Sequence, residues 1–393
     1  MKAVTWHGKR DVRVDEVPDP RIVEPTDAIV RVTSSGICGS DLHLYEVMGP
    51  FMREGDILGH EPMGVVEEVG SEVDQIEPGD RVVIPFNISC GSCFMCDQGL
   101  FSQCETTQNT EHRKGGSLFG YTELYGGVPG GQAEYLRVPQ AHFGPIKVPE
   151  GPPDERFVYL SDVLPTAWQA VEYAAIPEGG SVAVYGLGPI GQMCTRIARR
   201  RAARVIGVDL VPERLDLARR YEVEVVDANE QEDVPAVIRE MTQGRGTDSV
   251  IEAVGMEAHG DTVGKLAQQA ASILPDFVAS RMVQKAGIDR LRALYDSIET
   301  VRRGGTLSIV GVYGGAIDPL PLIDLFDKQV QIRMGQANVR RWTDDILPLL
   351  SEDGDPLGTE DLATHKLSLE QAPEAYEMFQ KKENGAIKVL LQP

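Results

Sequence analysis

Apolar and polar positions alternate in short runs through the first part of the chain, up to about residue 150. The segments "AIVRVTSSG", "MGVVEEVGSEV", "DRVVIPF" and "AEYLRVP" are rich in Val and Ile and are separated by Gly, Pro and Asp. β-branched residues in short alternating runs favour half-buried strands, and Gly, Pro and Asp favour turns. The pattern therefore predicts an all-β module with many turns.

A different rhythm begins at "PEGGSVAVYGLGPIGQ", where an apolar run of strand length leads into a Gly-rich turn and then a helix-like segment rich in Ala and Arg. Further strand-like runs, "RVIGVD", "DSVIEAVG" and "TLSIVGVYG", follow with helix-like segments between them. Strands that alternate with helices favour a parallel sheet covered by helices on both faces. This part of the chain is predicted to be an α/β domain.

One connection in the second part is unusually long. About 45 residues separate "EAVGM" from "RRGGTLSIVG", more than one crossover helix needs. Apolar residues recur there at helical spacing, so we expect an inserted helical arm at about residues 258–290. This arm is compatible either with a simple surface elaboration or with an oligomer contact or a lid. After about residue 335 the pattern changes to a helix and a closing strand, "QAPEAYEMFQKKENGAIKVLLQP".

Length and charge narrow the functional classes. With 393 residues, the chain exceeds the size at which a single core keeps growing, so two domains are expected. Lys and Arg number 38 against 60 Asp and Glu, a formal charge of -22, which disfavours nucleic-acid and anionic membrane partners. The acidic excess is also compatible with plain solubility or a salt-adapted source. No secretory or membrane-spanning pattern is present, so a cytoplasmic protein with reduced thiols is expected.

Four of the six cysteines lie in one short segment, "CGSCFMCDQGLFSQC". The spacing C-x2-C-x2-C-x7-C lets four thiolates, Cys90, Cys93, Cys96 and Cys104, converge on one tetrahedral ion. Four thiolates leave no position open for a substrate, so we expect a structural zinc site. A disulfide knot, an iron–sulfur cluster and a nucleic-acid-binding zinc ribbon are the alternatives, and reduced thiols and negative charge disfavour the first and last of these.

The turn "GLGPIG" has the spacing of a dinucleotide-binding motif. Gly186, Gly188 and Gly191 follow a strand-like run and open a helix-like one, so the backbone can approach a pyrophosphate at a helix N-terminus. Asp209 lies 18 positions after Gly191, where a carboxylate accepts from ribose hydroxyls and repels a 2′-phosphate. NAD is therefore expected rather than NADP; a solvated carboxylate at a strand end is the alternative for Asp209. The further candidate cofactor contacts are Pro189, Ile190 and Arg214.

A second set of metal-ligand candidates is scattered along the chain. "SSGICGSDLH" contains Cys38 near Asp41 and His43, and "ILGHEPMG" contains His60 followed by a glutamate. "LSDVLPTAWQA" contributes Asp162 just before the dinucleotide segment. Each is weak evidence alone, because a single Cys or His at a strand end is more often part of the core or surface.

The combination of "GICGSDLH", "GHEPMGVVEEVG", "PGDRVV", the cysteine quartet and "GLGPIG" resembles the zinc-dependent medium-chain alcohol dehydrogenase superfamily, in order and over essentially the whole chain. The phrases "LSDVLPT", "GGQAEYLRVP" and "PFNISCGSC" are most similar to the branch of glutathione-independent formaldehyde dehydrogenase and threonine dehydrogenase-like enzymes.

The resemblance implies a role for each matching residue. Cys38, His60 and Asp162 match the ligands of a catalytic zinc, with Asp162 where many relatives have a second cysteine. Asp41 matches a residue that orients a ligand, and Glu61 a carboxylate that can approach the zinc. Further matches are a proton relay of Ser40 and His43, the structural zinc ligands Cys90, Cys93, Cys96 and Cys104, and Lys388 as a basic partner of the cofactor pyrophosphate.

The implied fold combines α/β and β architecture. A GroES-like β-rich catalytic domain is built from both chain ends, residues 1–160 and 335–393. A Rossmann domain, a doubly wound parallel sheet, occupies residues 161–334 and includes the insertion. The implied function is hydride transfer between a small alcohol, or an aldehyde hydrate such as that of formaldehyde, and NAD, with two Zn²⁺ per chain and alkoxide formation on the catalytic zinc. A homodimer or homotetramer is expected.

Two other functions remain in view. A zinc-free reductase of quinone type would lack the Cys38, His60 and Asp162 set, which is present. An NAD-binding sensor or structural protein without turnover would be expected to have lost the relay or the ligands. The zinc content of the protein tests the alcohol dehydrogenase against these two functions. Two ions per chain support a dehydrogenase, one ion supports a structural site only, and no ion contradicts both metal sites.

Overall fold

The computed structural model describes residues 1–202, 204–255, 291–313 and 320–393. The expected insertion at about 258–290 lies outside the described residues. The strands of the described chain are β1 (Lys2–Gly8), β2 (Asp11–Glu16), β3 (Ala28–Ile37), β4 (Asp56–Ile57), β5 (Glu61–Val69), β6 (Arg81–Val83), β7 (Tyr135–Val138), β8 (Ile146–Lys147), β9 (Ser181–Tyr185), β10 (Arg204–Asp209), β11 (Glu224–Asp227), β12 (Thr247–Glu252), β13 (Val301–Ile309), β14 (Gln331–Met334), β15 (His365–Ser368) and β16 (Val389–Gln392).

The helices alternate with strands mainly in the second half of the chain. They are α1 (Gly39–Glu46), α2 (Phe94–Asp97), α3 (Asp154–Phe157), α4 (Val163–Ala174), α5 (Pro189–Arg199), α6 (Pro212–Arg220), α7 (Val234–Met241), α8 (291–300), α9 (Leu322–Lys328), α10 (Val339–Ser351) and α11 (Ala372–Lys381). Of the helices in the described ranges, none combines the length and apolarity that a membrane crossing requires.

The first compact unit consists of Met1–Gln169 together with Gln336–Pro393. Its larger sheet has the order β15-β16-β3-β5-β6-β8, with β7 also paired to β3, and a smaller sheet has the order β2-β1-β4. Alternate residues of β3, Ala28, Val30 and Val32, point into one core with residues of β5 and β7. The C-terminal strand β16 pairs antiparallel with β3, so both ends of the chain build this sheet.

The second unit, Ala170–Gly335, contains a six-stranded parallel sheet. Its order is β11-β10-β9-β12-β13-β14, so the first strand of the unit, β9, lies in the middle beside the fourth, β12. This is the doubly wound order, in which a ligand site forms beyond the carboxyl ends of the two central strands. Val182, Ala183 and Val184 of β9 are fully buried, as expected for a strand covered on both faces. The predicted fold class, a β-rich part plus an α/β part with a parallel sheet, is confirmed.

Candidate active site and metal centres

Four potential metal ligands converge in the first unit. One ligand atom each of Cys38, His60, Glu61 and Asp162 lies within 4.8 Å of the other three. Cys38 is the N-cap of α1, His60 immediately precedes β5, and Asp162 follows a short 3₁₀ turn before α4. All four side chains are buried. The scattered candidates of the sequence therefore form one cluster.

The start of α1 places the thiol of Cys38. The backbone of Cys38 is extended, and its N–H donates to Asp41 Oδ2 at 3.0 Å, so the third residue of the helix caps the helix start. Such a reciprocal cap holds both the N-cap residue and the capping side chain. The capping interaction thus fixes the Cys38 backbone, from which its Sγ projects towards the cluster.

The distances within the cluster suit a zinc ion. Cys38 Sγ lies 3.6 Å from Asp162 Oδ2, and His60 Nε2 lies 3.5 Å from the same oxygen. Tetrahedral Zn²⁺ with bonds of about 2.0–2.3 Å requires ligand atoms about 3.3–3.8 Å apart. The thiolate, imidazole and carboxylate donors are those zinc prefers, and three protein ligands are typical of a catalytic site.

The imidazole of His60 is oriented by a carboxylate. Its Nδ1 lies 3.1 Å from Asp41 Oδ1, which leaves Nε2 facing the cluster. The rings of Phe86 and Tyr121 each meet the ring edge-on, at centroid distances of 6.4 and 6.5 Å. Burial opposes a charge on His60, but Asp41 and Asp162 outweigh it and hold the pKa of His60 well above its ordinary value. A histidine held in this way is a pre-oriented metal ligand.

Asp162 is held by a neighbouring hydroxyl. Thr166 Oγ1, one turn later, donates to Asp162 Oδ1 at 2.6 Å, so Oδ2 alone faces Cys38 and His60. Burial favours the neutral form, but hydrogen bonding and charge from His60 lower the pKa of Asp162. Burial and the neighbouring Glu61 and Asp162 raise the pKa of Cys38 to about 12. The thiol must therefore lose a proton when a metal binds.

Glu61 and Lys388 form a fully buried ion pair beside the cluster. The ammonium of Lys388 also donates to the carbonyl oxygen of Ile37 at 3.0 Å. Burial disfavours the charged form of both groups. It raises the pKa of the Glu61 carboxyl. At Lys388 burial lowers the pKa of the ammonium, but the attraction of Glu61 is stronger, so the pKa of Lys388 is raised. Glu61 Oε1 has no hydrogen-bond partner within the described part of the chain, which fits an oxygen available to a nearby cation. A contact of Lys388 with a pyrophosphate stays a prediction.

Ser40 and His43 lie three residues apart on α1, so their side chains project from one side of the helix. Ser40 Oγ lies 3.2 Å from His60 Nε2, at the edge of the cluster, and His43 is 9% exposed. Ser40 is thus next to the candidate metal, and the relay through His43 stays a prediction.

The cysteine quartet forms a second cluster of the first unit. The four sulfur atoms lie within 4.8 Å of one another, with Cys93 Sγ and Cys104 Sγ 3.9 Å apart, close to the tetrahedral separation for zinc–sulfur bonds of about 2.3 Å. Backbone and hydroxyl donors surround the sulfurs: Glu105 N–H points to Cys93 Sγ at 3.3 Å and Thr106 Oγ1 to Cys90 Sγ at 3.1 Å. Burial opposes ionisation of Cys90, but hydrogen bonds from the Thr106 hydroxyl and the Ser92 backbone lower the pKa of Cys90 to about 6. All six cysteines of the chain are free thiols, so the disulfide alternative is excluded in this structure.

The Gly-rich turn joins β9 to α5 in the second unit. Gly186 has a positive φ of 86°, and Gly191 packs so close to the Gly186 carbonyl that a Cβ there would overlap it. Gly188 is the N-cap of α5, and a Cβ there would meet nothing nearer than Arg214 Nη1 at 3.7 Å. Pro189 and Ile190 form the first turn of α5. The free face of the turn is thus at Gly188, where a phosphate group can reach the helix N-terminus.

Asp209, at the end of β10, is bound to the turn. Its Oδ2 accepts from Leu187 N–H at 2.6 Å, and its Oδ1 accepts from the backbone N–H groups of Leu210 and Val211 at 2.7 and 2.9 Å. Arg214 Nη1 lies 3.7 Å from Oδ2. Asp209 is 8% exposed and is therefore not the freely solvated carboxylate that the alternative reading proposed. Its spare lone pairs can still accept from a ribose hydroxyl.

Three residues that hold the side chains of the cluster in place were not predicted from the sequence. Thr166 binds Asp162, Gln132 binds Asp41, and Tyr376 binds Gln132. Thr166 lies one helical turn from Asp162, which is a local signal that could have identified it. Gln132 and Tyr376 reach the site only through the fold, and no local pattern marks them.

Two family models match the chain. The alcohol dehydrogenase GroES-like domain matches residues 24–150, and the zinc-binding dehydrogenase family matches residues 189–273. The first match covers both candidate metal clusters except Asp162, and the second begins at the dinucleotide turn.

Relatives match the chain from end to end. The zinc-type alcohol dehydrogenase-like protein AdhB of Bacillus subtilis is 42% identical and covers 100% of both chains. Glutathione-independent formaldehyde dehydrogenase of Pseudomonas aeruginosa is 30% identical over 96% of this chain and 94% of its own.

Solved structures of dehydrogenases also match the chain over its full length. Alcohol dehydrogenase TADH from Thermus sp. ATN1 is similar at a TM-score of 0.83 and 36% identity, covering 100% of this chain and 99% of its own. A zinc-binding dehydrogenase from Sinorhizobium meliloti, bound to NADP, has a TM-score of 0.74 and 25% identity, with 100% and 99% covered. From the residues of the two metal clusters, the dinucleotide turn and these matches over the full chain, we conclude that the protein belongs to the zinc-dependent medium-chain alcohol dehydrogenase superfamily and is an alcohol dehydrogenase-like oxidoreductase.

Proposed function

We propose that the protein is an NAD-dependent zinc alcohol dehydrogenase that oxidises a small alcohol, or the hydrate of an aldehyde such as formaldehyde, in a reversible reaction. The convergence of Cys38, His60 and Asp162 on one point is the observation that carries this proposal. The dinucleotide turn and the family of the chain support the nicotinamide half of the reaction.

Three residues would hold the catalytic zinc: Cys38 by its thiolate, His60 by Nε2 and Asp162 by Oδ2. When bound, the zinc supplies a Lewis acid that polarises the substrate oxygen, and the nicotinamide supplies the acceptor for hydride. Asp41 and Thr166 keep the imidazole and the carboxylate in place. Cys90, Cys93, Cys96 and Cys104 would hold a second, structural zinc, giving two ions per chain.

The substrate hydroxyl proton must leave the buried cluster. Ser40 Oγ, beside His60 Nε2, is placed to accept it, and His43 on the same side of α1 is the next carrier. An imidazole can take up and release a proton near neutral pH, which suits transfer to solvent. Ser40→Ala is therefore expected to lower kcat about 100-fold, within the range for loss of a positioned proton-transfer group.

We further propose NAD as the cofactor rather than NADP. The Asp209 carboxylate, fixed to the Gly-rich turn, would accept from the adenosine ribose and repel a 2′-phosphate. Asp209→Ser should reduce the preference for NAD over NADP in kcat/KM at least about tenfold, because it removes about 1.4 kcal/mol or more of discrimination. An unchanged ratio would contradict the role of Asp209.

The name of the Pseudomonas aeruginosa relative supports formaldehyde as one substrate to test. A cytoplasmic location and a homodimer or homotetramer are proposed from the family.

The deciding experiment is an NAD reduction assay over small alcohols, polyols, threonine and formaldehyde, with and without glutathione, with metal analysis of the same preparation. We expect turnover with two zinc ions per chain, and loss of turnover in Cys38→Ser with one ion retained. Equal activity of wild type and Cys38→Ser on every substrate would overturn the assignment.

The same experiment separates the two other functions. A sensor or structural protein would bind NAD and zinc but reduce no NAD with any alcohol. A zinc-free quinone-type reductase would also reduce no NAD with an alcohol, but after addition of a reduced nicotinamide and a quinone it would transfer hydride to the quinone without the ion held by Cys38, His60 and Asp162.

A further inference from the structure

Gln132 is a fully buried amide behind the catalytic cluster. Its Nε2 donates to Asp41 Oδ2 at 3.3 Å and to the carbonyl oxygen of Gly36 at 3.2 Å. Its Oε1 accepts from the hydroxyl of Tyr376, also fully buried, at 2.8 Å. The amide thus links α11 to the residue that orients His60.

The orientation of this amide is set by its neighbours. Asp41 Oδ2 and the Gly36 carbonyl are both acceptors, so only the NH₂ end of Gln132 can face them. The oxygen then points to Tyr376, whose hydroxyl donates. A reversed amide would place its oxygen against a carboxylate and a carbonyl in a buried setting, which is costly. The two acceptors therefore select the one orientation that supports Asp41, and the Tyr376 hydroxyl binds the amide oxygen in that orientation.

Asp41 needs this support because its carboxylate is fully buried. Oδ2 accepts from Cys38 N–H and from Gln132, and this leaves Oδ1 at 3.1 Å from His60 Nδ1. The two donors on Oδ2 fix the rotation of the carboxylate. Without Gln132, one donor remains and the carboxylate is free to turn away from the imidazole.

The backbone of Gln132 is anchored to the segment that carries His60. Gln132 N–H donates to the Leu58 carbonyl at 2.9 Å, and Gly131 N–H donates to the Gly59 carbonyl at 2.8 Å. A Cβ at Gly59 would overlap Gln132, so the two chain segments are in direct contact. Gln132 therefore keeps a fixed position relative to both Asp41 and His60.

We propose that Gln132, supported by Tyr376, is a positioning residue for the catalytic metal: it holds the Asp41 carboxylate beside His60 Nδ1, so that Nε2 faces the ion. The inference rests on the proposed role of His60 as a zinc ligand. It adds an outer layer of two residues, one of them contributed by the C-terminal part of the chain.

The test uses Gln132→Met, which keeps the size of the side chain and removes its polar groups. The measurement is the affinity of the full-length protein for zinc at each site, by competition with a chelating dye. We expect the catalytic site to lose about 10- to 100-fold in affinity, the usual effect of removing a residue that orients a ligand, while the quartet keeps its ion. With Co²⁺ in the catalytic site, the visible absorption bands should shift.

A second variant separates positioning from stability. Gln132→Met alone leaves the Tyr376 hydroxyl buried without its acceptor, which lowers stability. Adding Tyr376→Phe removes that hydroxyl and should recover thermal stability, yet the zinc affinity should stay low because Asp41 still lacks its donor. Tyr376→Phe alone should have a smaller effect on affinity than Gln132→Met, because the two acceptors still orient the amide.

Gln169→Met is the matched control, since Gln169 is a buried amide of the same unit that binds Asn338 and Trp342 instead. It should leave the affinity of the catalytic site for zinc within about twofold of wild type, because Asp41 keeps its donor. Wild-type affinity in the Gln132→Met/Tyr376→Phe protein, or an equal loss in Gln169→Met, would overturn the proposal. Because the readout is metal affinity, its result is independent of whether the protein turns over an alcohol.

Discussion

Protonation of individual residues decides how the catalytic cluster takes up zinc. Burial and neighbouring carboxylates raise the pKa of Cys38 to about 12, and Asp41 and Asp162 hold the pKa of His60 well above its ordinary value despite burial. Cys38 therefore carries a proton at neutral pH before the metal binds, and the raised pKa of His60 favours its protonated form. Zinc needs a thiolate and a neutral imidazole, so it must displace both protons.

This predicts a steep pH dependence of zinc binding. Wherever both groups are protonated, each displaced proton makes the affinity rise about tenfold per pH unit, so two protons give about 100-fold per unit. Chelator competition at several pH values would measure the slope. A slope near zero in wild type would contradict these protonation states.

Gly36 is predicted to be irreplaceable for a steric reason. Its backbone does not have a positive φ, but a Cβ there would overlap the Glu61 carboxylate and touch Lys388 Cε at 3.1 Å. Gly36→Ala should separate the buried ion pair and destabilise the protein by about 3 kcal/mol or more, as expected for breaking such a pair. Thermal and urea unfolding would measure the loss.

Gly144→Ala is the control, because a Cβ at this buried glycine would meet only the Gln140 carbonyl at an ordinary 3.6 Å. It should change the free energy of unfolding by less than about 1 kcal/mol. Equal effects of the two substitutions would show that the overlap with Glu61 does not matter.

At the scale of elements, each candidate site uses the start of a helix. The N-cap of α1 is a zinc-ligand candidate, Cys38, and the N-cap of α5 is the open glycine of the dinucleotide turn, Gly188. Free backbone N–H groups and the helix dipole stabilise negative charge at such positions. In the proposed sites a Cys38 thiolate would be stabilised at α1 and a pyrophosphate at α5, so a helix N-terminus would serve two different ligands.

The turn before α5 predicts different outcomes for its glycines. In Gly191→Ala the added Cβ overlaps the Gly186 carbonyl, so both stability and dinucleotide affinity should fall. In Gly188→Ala there is room for the Cβ, so stability should remain while affinity falls at least about tenfold, because the methyl group occupies the approach of the pyrophosphate. Fluorescence titration with NADH and thermal unfolding measure the two effects. Loss of stability in Gly188→Ala would contradict the assignment of the open face.

At the scale of the whole molecule, the two metal clusters differ in what they can exchange. The quartet offers four thiolates, enough for a closed site, whereas in the proposed function Cys38, His60 and Asp162 hold the catalytic ion, Glu61 is paired with Lys388, and one position stays for substrate. An open position also admits a chelator.

Brief treatment with a chelator is therefore predicted to remove one zinc ion per chain and all activity, with little change in circular dichroism. Removal of the second ion should require stronger conditions and should lower thermal stability, because the segment from Cys90 to Cys104 is organised around it. Metal analysis at intervals, compared with Cys38→Ser, would show the order. Loss of both ions at the same rate would contradict the difference between the sites.

The cysteine quartet, the glycine turn and the order of strands and helices could be predicted because each depends on residues close together in the sequence. The cysteine quartet spans 15 residues, the glycine turn spans six, and the strand before the turn and the helix after it are next to it in the chain. Their spacing constrains their geometry whatever the rest of the fold does. The change from alternating strands to strand and helix repeats likewise depends only on neighbouring residues, and it indicated the two architectures.

The chain by itself thus determined the elements, the closed metal site and the dinucleotide turn, since each depends on residues close in sequence. Only the tertiary structure decided the surroundings of the catalytic cluster. Cys38 meets Asp162 across 124 positions, Tyr376 meets Gln132 across 244, and Lys388 meets the Ile37 carbonyl across 351. Those contacts depend on the register of β16 against β3 and on the packing of α11, and register and packing are set by the whole core rather than by any local pattern.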